Sequence, residues 1–340
     1  MTPRVSIIIP MYNAAKFIET CVDSILLQTL EDLEIILIDD KSSDGTLDLV
    51  RSKYGENSRV RIFSSVRKNH EWGGRNLGLQ MASGDYVFFM DHDDLLLPNA
   101  METLYNTAEE TQAESVHFNS YYTNLTDVFS LTDDMRVIKL LDSIPPDKFL
   151  PVDLEWRLFQ SEYSISVMGW QKLMRRDFLV ESGLYFPDMW ISSDSMHFFG
   201  ELCLARKIFI VDGCGYVYRQ NPTSQMRSNP MKKFHYVVEN FQPMLDFMEE
   251  IFSLKTIEEL PKDLQIRAAM DKVDIICMKF AVQAIKNGAS LEEIDNVLSE
   301  KISHGFLMNS KIVKTLFHMA MQTYLNKPRK PLKGDELFER

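Results

Sequence analysis

Cysteine is scarce: four residues in 340 (Cys21, Cys203, Cys214, Cys277), widely spaced and without a CxxC pair. That excludes a disulfide framework and a cysteine zinc site, and it points to a reducing compartment, the cytoplasm. Glycine (14) and proline (13) are few, and charged residues make up 25% of the chain. Collagen-like, linker-like and broadly disordered chains are excluded by that composition. No apolar run approaches the ~18 residues of a spanning helix. The apolar stretch at 5–9 closes at Pro10 and is too short for a secretory leader. Basic residues are outnumbered 37 to 49, a net charge of −12. So acidic a chain is a poor match for a nucleic-acid backbone. It can bind phosphate only through a local device, such as a carboxylate-held metal or an isolated Arg or Lys.

What is present is a 45% hydrophobic chain, enough for one large domain with an appendage. A short β-branched run at 5–9 and a second run at 34–38 read as buried strands, and 60–63 and 86–90 read as a third and a fourth strand. Between them lie helical stretches at 14–28, 46–54 and 75–82. In the first of these, Phe17, Ile18, Cys21, Val22, Ile25 and Leu26 fall on one stripe. Pro98 suits the first position of a further helix reaching 111. Alternation with connections this short predicts an α/β fold, a mostly parallel sheet covered by helices. Strands at 115–122, 172–175, 207–211 and 215–219 and helices at 147–160 and 194–205 extend the same domain. From about 230 the pattern is helical, at 234–252, 264–286, 291–299 and 310–325. The expected division is a domain over 1–228, a helical region over 229–326 and a poorly ordered basic tail over 327–340.

In open α/β sheets ligands bind beyond the carboxyl ends of the strands. Three early strands end there in polar signatures: Pro10-Met11-Tyr12-Asn13, Asp39-Asp40-Lys41-Ser42-Ser43-Asp44-Gly45 and Asp91-His92-Asp93-Asp94. Three acids within four residues repel one another unless a counter-charge lies between them. Mg²⁺ or Mn²⁺, which bridges carboxylates to substrate phosphates, is the natural one. His92 is expected to point away from it, and Asp94 to do no more than cap the next helix.

Four blocks in order, Val5 to Asn13, Ile38 to Thr46, Gly74-Arg75-Asn76-Leu77-Gly78 and Gly84-Asp85-Tyr86 through Asp94, resemble the family-2 glycosyltransferases of the GT-A fold, among them bacterial capsular and surface-polysaccharide transferases. The likeness spans roughly 4–225 and is strongest before 105. It implies a Rossmann-like, mostly parallel mixed sheet with flanking helices. It also implies inverting transfer of a hexosyl or N-acetylhexosaminyl group from a nucleotide sugar, UDP-linked, to a glycan or lipid-linked acceptor. By the same resemblance Pro10 and Tyr12 pack near the base, and Asp40 accepts a hydrogen bond from it, with Asp39 sharing that role or bracing the loop. Arg75 lies near the nucleotide, Asp91 and Asp93 hold ribose and metal, and Asp93 is the better metal ligand. One stretch departs from the family: Asn69-His70-Glu71-Trp72-Gly73-Gly74 is short and carries Gly74 where alanine is usual.

Inversion requires a carboxylate to take the acceptor's proton, while the metal offsets charge on the departing diphosphate. Family members place that base in an acidic pair opening a later helix. Here Ser193-Asp194 stands in that place, so Asp194 is the candidate base and Asp188 the fallback; either Ser193 or Asp194 also suits a plain N-cap. Arg219 and Ser224, in a Tyr-x-Tyr-Arg…Ser block, are candidates for the diphosphate, and Trp170 and Trp190 for stacking on a sugar. The alternatives are a nucleotidyltransferase, which would need a glycine-rich loop after the first strand that is missing here, and a non-catalytic nucleotide-sugar-binding subunit supporting a partner transferase. At the end of the chain, 311–333 holds six basic and no acidic residues around a helical apolar stripe. That pattern fits peripheral contact with the inner face of an anionic membrane, or a packed helix with a solvated basic end.

Overall fold

The computed structural model describes residues 2–66, 70–123, 136–138, 148–159, 168–219, 229–254 and 261–302. The chain opens with β1 (Val5–Met11), α1 (Ile18–Leu26), β2 (Leu33–Asp39), α2 (Thr46–Tyr54), β3 (Val60–Ser64), α3 (His70–Met81) and β4 (Tyr86–Phe89). There follow β5 (Leu95–Leu96), α4 (Ala100–Thr111), β6 (Ser115–Thr123), β7 (Arg136–Ile138), β8 (Lys148–Phe149), α5 (Leu154–Phe159) and β9 (Lys172–Arg175). Next come α6 (Arg176–Ser182), α7 (Ser193–Leu204) and β10 (Ile208–Arg219), then α8 (Pro230–Glu239), α9 (Phe241–Ser253), α10 (Lys262–Lys286) and α11 (Leu291–Ile302).

The strands form one sheet in the order β3-β2-β1-β4-β9-β6-β10-β5, with β7 on β6 and β8 on β10. β3, β2, β1 and β4 run parallel, as short crossovers require. β9 is antiparallel to both β4 and β6, which makes the sheet mixed. The apolar runs of β1 and β2 are buried along their whole length, as strands covered on both faces must be. Ile18, Cys21, Val22 and Ile25 of α1 are fully buried in the same core.

Register sets the site. Met11 lies opposite Asp39, Asp39 lies opposite Ser64, and the Met90 amide donates to the Ile8 carbonyl. The polar strand ends after β1, β2 and β4 therefore open on one edge of the sheet. Helix α3 comes unusually close to β1: a Cβ on Gly78 would sit 2.2 Å from Ile8 Cγ2, and one on Gly74 would sit 2.8 Å from Pro10 Cβ. That approach is the physical reason for Gly74 where the resemblance leads one to expect alanine.

Several boundaries differ from expectation. Helix α3 begins at His70 rather than 75, and Asn69 lies outside the described residues. Pro98 precedes α4, whose flanking residue is Asn99. The expected strands 207–211 and 215–219 are one strand, β10, with a register shift between Val211 and Tyr216 beside Gly215 at φ +80°. The expected helix 234–252 is two, α8 and α9. Pro243 cannot donate to the carbonyl four residues back, and the Asn240 amide closes α8 on Tyr236 and Val237. Of the expected helix 147–160, 154–159 is helical as α5. The chain clusters into two compact units, Met1–Arg227 with Met244–Met270, and Ser228–Pro243 with Asp271–Arg340. Met244–Met270 joins the first because Phe247 meets Tyr185 edge-on and Phe252 meets Phe199. The basic stretch 311–333, the tail 327–340 and Ser224 lie outside the described residues.

Candidate active site

The loop after β1 is tied to the loop after β2. The Asn13 amide donates to Ser42 Oγ (3.0 Å), the Ser43 amide to Asn13 Oδ1 (2.8 Å), and the Ala14 amide to Thr46 Oγ1 (2.8 Å). Asn13 pays for this with φ +50°, a conformation asparagine tolerates. Pro10 lies buried within β1, and Tyr12 is partly buried just beyond its end. Asp40 is buried, and its Oδ2 accepts from the His70 amide at the start of α3 (2.8 Å). Asp39 is 1% exposed; the Ser42 amide approaches its Oδ2 at 3.4 Å, while its Oδ1 is buried with no hydrogen-bond partner. A buried acceptor without a donor is costly. The orphan on Asp39 is therefore a place where an incoming N–H or O–H would be well received.

Arg75 stands at the centre of the site. It is 2% exposed and lies over the Phe186 ring, 5.1 Å from its centroid. Its Nη2 donates to Asp91 Oδ1 (2.9 Å) and its Nη1 to Asp194 Oδ1. Residues 75, 91 and 194, from α3, the turn after β4 and the first turn of α7, are thus joined by one guanidinium. Burial works against the Arg75 charge, but Asp194 and Asp91 more than offset it and raise the pKa. Burial pushes the Asp91 carboxyl up to about 7; Arg75 opposes the rise, and Glu71, Asp93 and Asp194 add to it. Gly169 completes the wall. Its amide donates to Asp194 Oδ2 (3.3 Å), and a Cβ there would lie 3.1 Å from Arg75 Nη1.

Asp93 is partly exposed, whereas Asp94 is fully buried and is not a solvated cap. Tyr216 Oη and the Arg219 amide both donate to Asp94, anchoring β10 to the acidic turn. His92 turns its Nδ1 toward the Pro10 carbonyl (3.3 Å). Arg219 donates from Nε to the Asp93 carbonyl and from Nη1 to Thr20 Oγ1 (2.8 Å), and sits over Phe17. Those contacts commit it to bracing the turn. Trp170 is 5% exposed and stacks on Tyr216 (4.5 Å) and Tyr218 (5.5 Å), which makes it a core residue. Trp190 is partly exposed, and Asp188 is exposed.

Neither Ser193 nor Asp194 caps α7. Ser193 Oγ donates to the Pro187 carbonyl, and Asp194 faces Arg75 and Gly169. Sequence reasoning gave no role to Gly169, nor to Phe186 and Tyr216, although the last two lie in stretches singled out for other residues. Their only signal was position beside aromatic or acidic neighbours far away in the chain.

Among the described residues no group of three or more His, Cys, Asp and Glu is arranged to hold a metal alone. Two carboxylates, Asp91 and Asp93, in a turn where burial and like charge push Asp91 upward, do fit Mg²⁺ or Mn²⁺ completed by phosphate oxygens.

The model of the family described as "Glycosyl transferase family 2" matches residues 6–156. Glycosyltransferase GlyG of Streptococcus pneumoniae is 27% identical over 241 residues, covering 67% of this chain and 74% of that protein. The uncharacterized glycosyltransferase EpsJ of Bacillus subtilis is 29% identical over 225 residues, 66% of this chain and 63% of its own length. Among solved structures, S. aureus TarS residues 1–349 in complex with UDP-GlcNAc superposes with a TM-score of 0.62 at 19% identity, covering 88% of this chain and 80% of that one. That likeness shows the fold, which is GT-A. The family match runs through the strands that lead into Asp39 and the Asp91–Asp94 turn; the chain is a glycosyltransferase, and its residues 6–156 are similar to glycosyl transferase family 2.

Proposed function

We propose that residues 1–228 form an inverting, metal-dependent transferase that moves a sugar from a UDP-linked donor to a glycan or lipid-linked acceptor in surface-polysaccharide synthesis. The observation that carries this reading is the Asp91–Arg75–Asp194 bridge, which sets the candidate base beside the acidic turn. A "GalNAc(5)-diNAcBac-PP-undecaprenol beta-1,3-glucosyltransferase" of Campylobacter jejuni, 39% identical over 112 residues and thus a third of this chain, supports the acceptor class.

In this reading Asp39 offers its unpartnered Oδ1 to the nucleoside, Asp40 holds the start of α3, and Pro10 and Tyr12 flank the base. Asp91 and Asp93 would hold Mn²⁺ or Mg²⁺, which when bound supplies positive charge to the leaving diphosphate. Asp194 takes the proton of the acceptor hydroxyl as that oxygen bonds to the anomeric carbon from the face opposite the departing nucleotide. Gly169 and Arg75 hold the carboxylate in place while it does so. No helix among the described residues is long and apolar enough to cross a membrane. Any membrane contact falls to the basic stretch 311–333, at the cytoplasmic face.

The test is a thermal-shift and turnover screen of UDP- and GDP-sugars with and without Mn²⁺, since a ligand of the native state raises the melting temperature by mass action. The reading expects UDP-sugars to stabilise only with Mn²⁺ and to be turned over, with Asp194→Asn binding normally and losing at least a hundredfold in rate. Donor binding without any turnover would instead identify a nucleotide-sugar-binding subunit.

A further inference from the structure

Helix α7 carries Asp194 in its first turn and Glu201 seven residues later, a spacing that returns a helical side chain to the same face. Glu201 is fully buried. Its Oε2 accepts from Lys172 Nζ (2.7 Å), and its Oε1 meets His117 Nε2 (2.5 Å). Lys172 and His117 are themselves a register pair, directly opposite each other on β9 and β6. The Lys172 ammonium also lies 4.5 Å from the centroid of the Phe198 ring. One carboxylate on the helix therefore spans two adjacent strands in the middle of the sheet. His117 and Lys172, aided by their hydrogen bonds, overcome the cost of burial and hold the Glu201 carboxyl well below its ordinary value.

Buried ionisable groups are an expensive way to pack a helix on a sheet, because apolar side chains of similar volume often do as well or better. What they add is a fixed position, since a carboxylate satisfied by two donors on two strands cannot slide as an apolar contact can. The opposite end of α7 needs such a restraint. Ser192, immediately before the helix, sits at φ +77°, and its Oγ is buried without a partner. A side-chain-bearing residue keeps that conformation only when its surroundings enforce it. Between the two ends, His197 stacks on Phe186 at 3.9 Å, the same ring over which Arg75 lies.

We propose that His117, Lys172 and Glu201 are positioning residues that fix the height of α7 on the sheet and thereby hold Asp194 against Arg75. The proposal rests on the reading of Asp194 as the base only for its consequence in turnover; the positioning itself is read without it.

Two measurements on the full chain decide the matter. The first is a double-variant cycle in melting temperature between Glu201→Gln and Asp194→Asn. The two sites share no partner, so a merely structural cluster gives additive losses. Positioning predicts that the double variant loses less than the sum, because Glu201→Gln has already loosened the Asp194–Arg75 pair. Additivity overturns the proposal. The second is UDP release from UDP-glucose, UDP-galactose and their N-acetylhexosamine counterparts with Mn²⁺. Glu201→Gln is expected to lower kcat at least tenfold with donor KM within twofold. The apolar variant H117L/K172M/E201L is expected to recover stability without recovering kcat. Recovery of both would make the cluster a packing device and overturn the proposal. If Asp194→Asn keeps full turnover, the base reading fails alone, and the cycle still reports on positioning.

Discussion

Replacing Arg75 by methionine removes one positive charge and leaves the volume nearly unchanged, which isolates the electrostatic part of the site. The Arg75 side chain is 3% exposed, whereas those of its partners Asp91 and Asp194 are 25% and 28% exposed. Breaking a fully buried pair by removing one member costs about 3–5 kcal/mol, because the other charge is left uncompensated. Here two carboxylates are left, but each keeps enough contact with water to recover part of its hydration, which brings the expected loss to about 2–3 kcal/mol. Loss of the cation over Phe186 adds ~1 kcal/mol. For a unit of this size each kcal/mol moves the melting temperature by about 2–4 °C. Arg75→Met should therefore melt roughly 6–16 °C below the parent in differential scanning calorimetry without ligand. Arg75→Lys should recover only part of this, since one ammonium cannot present two donors in the guanidinium's fixed fork. A methionine variant melting within a degree of the parent would refute the reasoning, for it would mean that these pairs are screened like surface ones.

Two further outcomes follow from other parts of the first unit. Gly78→Ala drives a methyl group to 2.2 Å from Ile8 Cγ2. The overpacking of about 1–3 kcal/mol should outweigh the ~1 kcal/mol that alanine gains in a helix, lowering the denaturation midpoint in urea; a more stable variant would show that α3 can lift from β1 freely. Acid should also destabilise the fold. Glu34 is held below its ordinary 4.5 by Ser6, Arg61 and Ser83 in spite of burial, and Glu201 is lowered by His117 and Lys172 in the same way. A carboxyl lowered in the native state stabilises at pH above its unfolded value, and that stability is lost as pH falls through the native one. Between pH 7 and 5 Asp91, raised to about 7 by burial, takes up a proton in the native state and adds stability, which offsets the loss from His197, held neutral by burial. Below about 4.5 the lowered carboxyls dominate and the melting temperature should fall steeply, with Glu34→Gln flattening part of the decline.

The first sheet strands were legible because each is a short, mostly apolar run closed by a polar end, and α2 was legible to the residue because Gly45 and Gly55 bracket it. The break between α8 and α9 was misread because one apolar period runs through both, and only the missing amide of Pro243 interrupts it. Within the site, the carboxylates announced themselves by clustering in sequence, as Asp39-Asp40 and as Asp91-His92-Asp93-Asp94. Their partners did not. Nothing local to Tyr216 tells that its hydroxyl reaches Asp94, 122 residues away, or that Gly169 lies against Asp194. Side chains that work by meeting across the fold leave no periodic trace, whereas those that work beside their neighbours do.

The excess of acid can now be followed charge by charge. Asp94 is occupied by Tyr216 and the Arg219 amide, and Asp40 by the amide that opens α3. Arg219 is spent on the Asp93 carbonyl, Thr20 and Phe17, so it brings no free fork to a phosphate. Arg75 is shared between Asp91 and Asp194. With Asp91 raised to about 7 and so partly protonated at neutral pH, counting Asp91, Asp93 and Asp194 against Arg75 leaves the site between one and two charges negative before a diphosphate arrives. Coulomb repulsion between such groups is several kcal/mol at an effective dielectric of about 20. On the proposed reading, in which the donor's diphosphate binds here, that charge repels it from this edge of the sheet unless a divalent cation enters with it or ahead of it. That is why UDP without Mn²⁺ should fail to raise the melting temperature. If it raised the melting temperature fully, the acidic turn would have some other purpose than holding a metal.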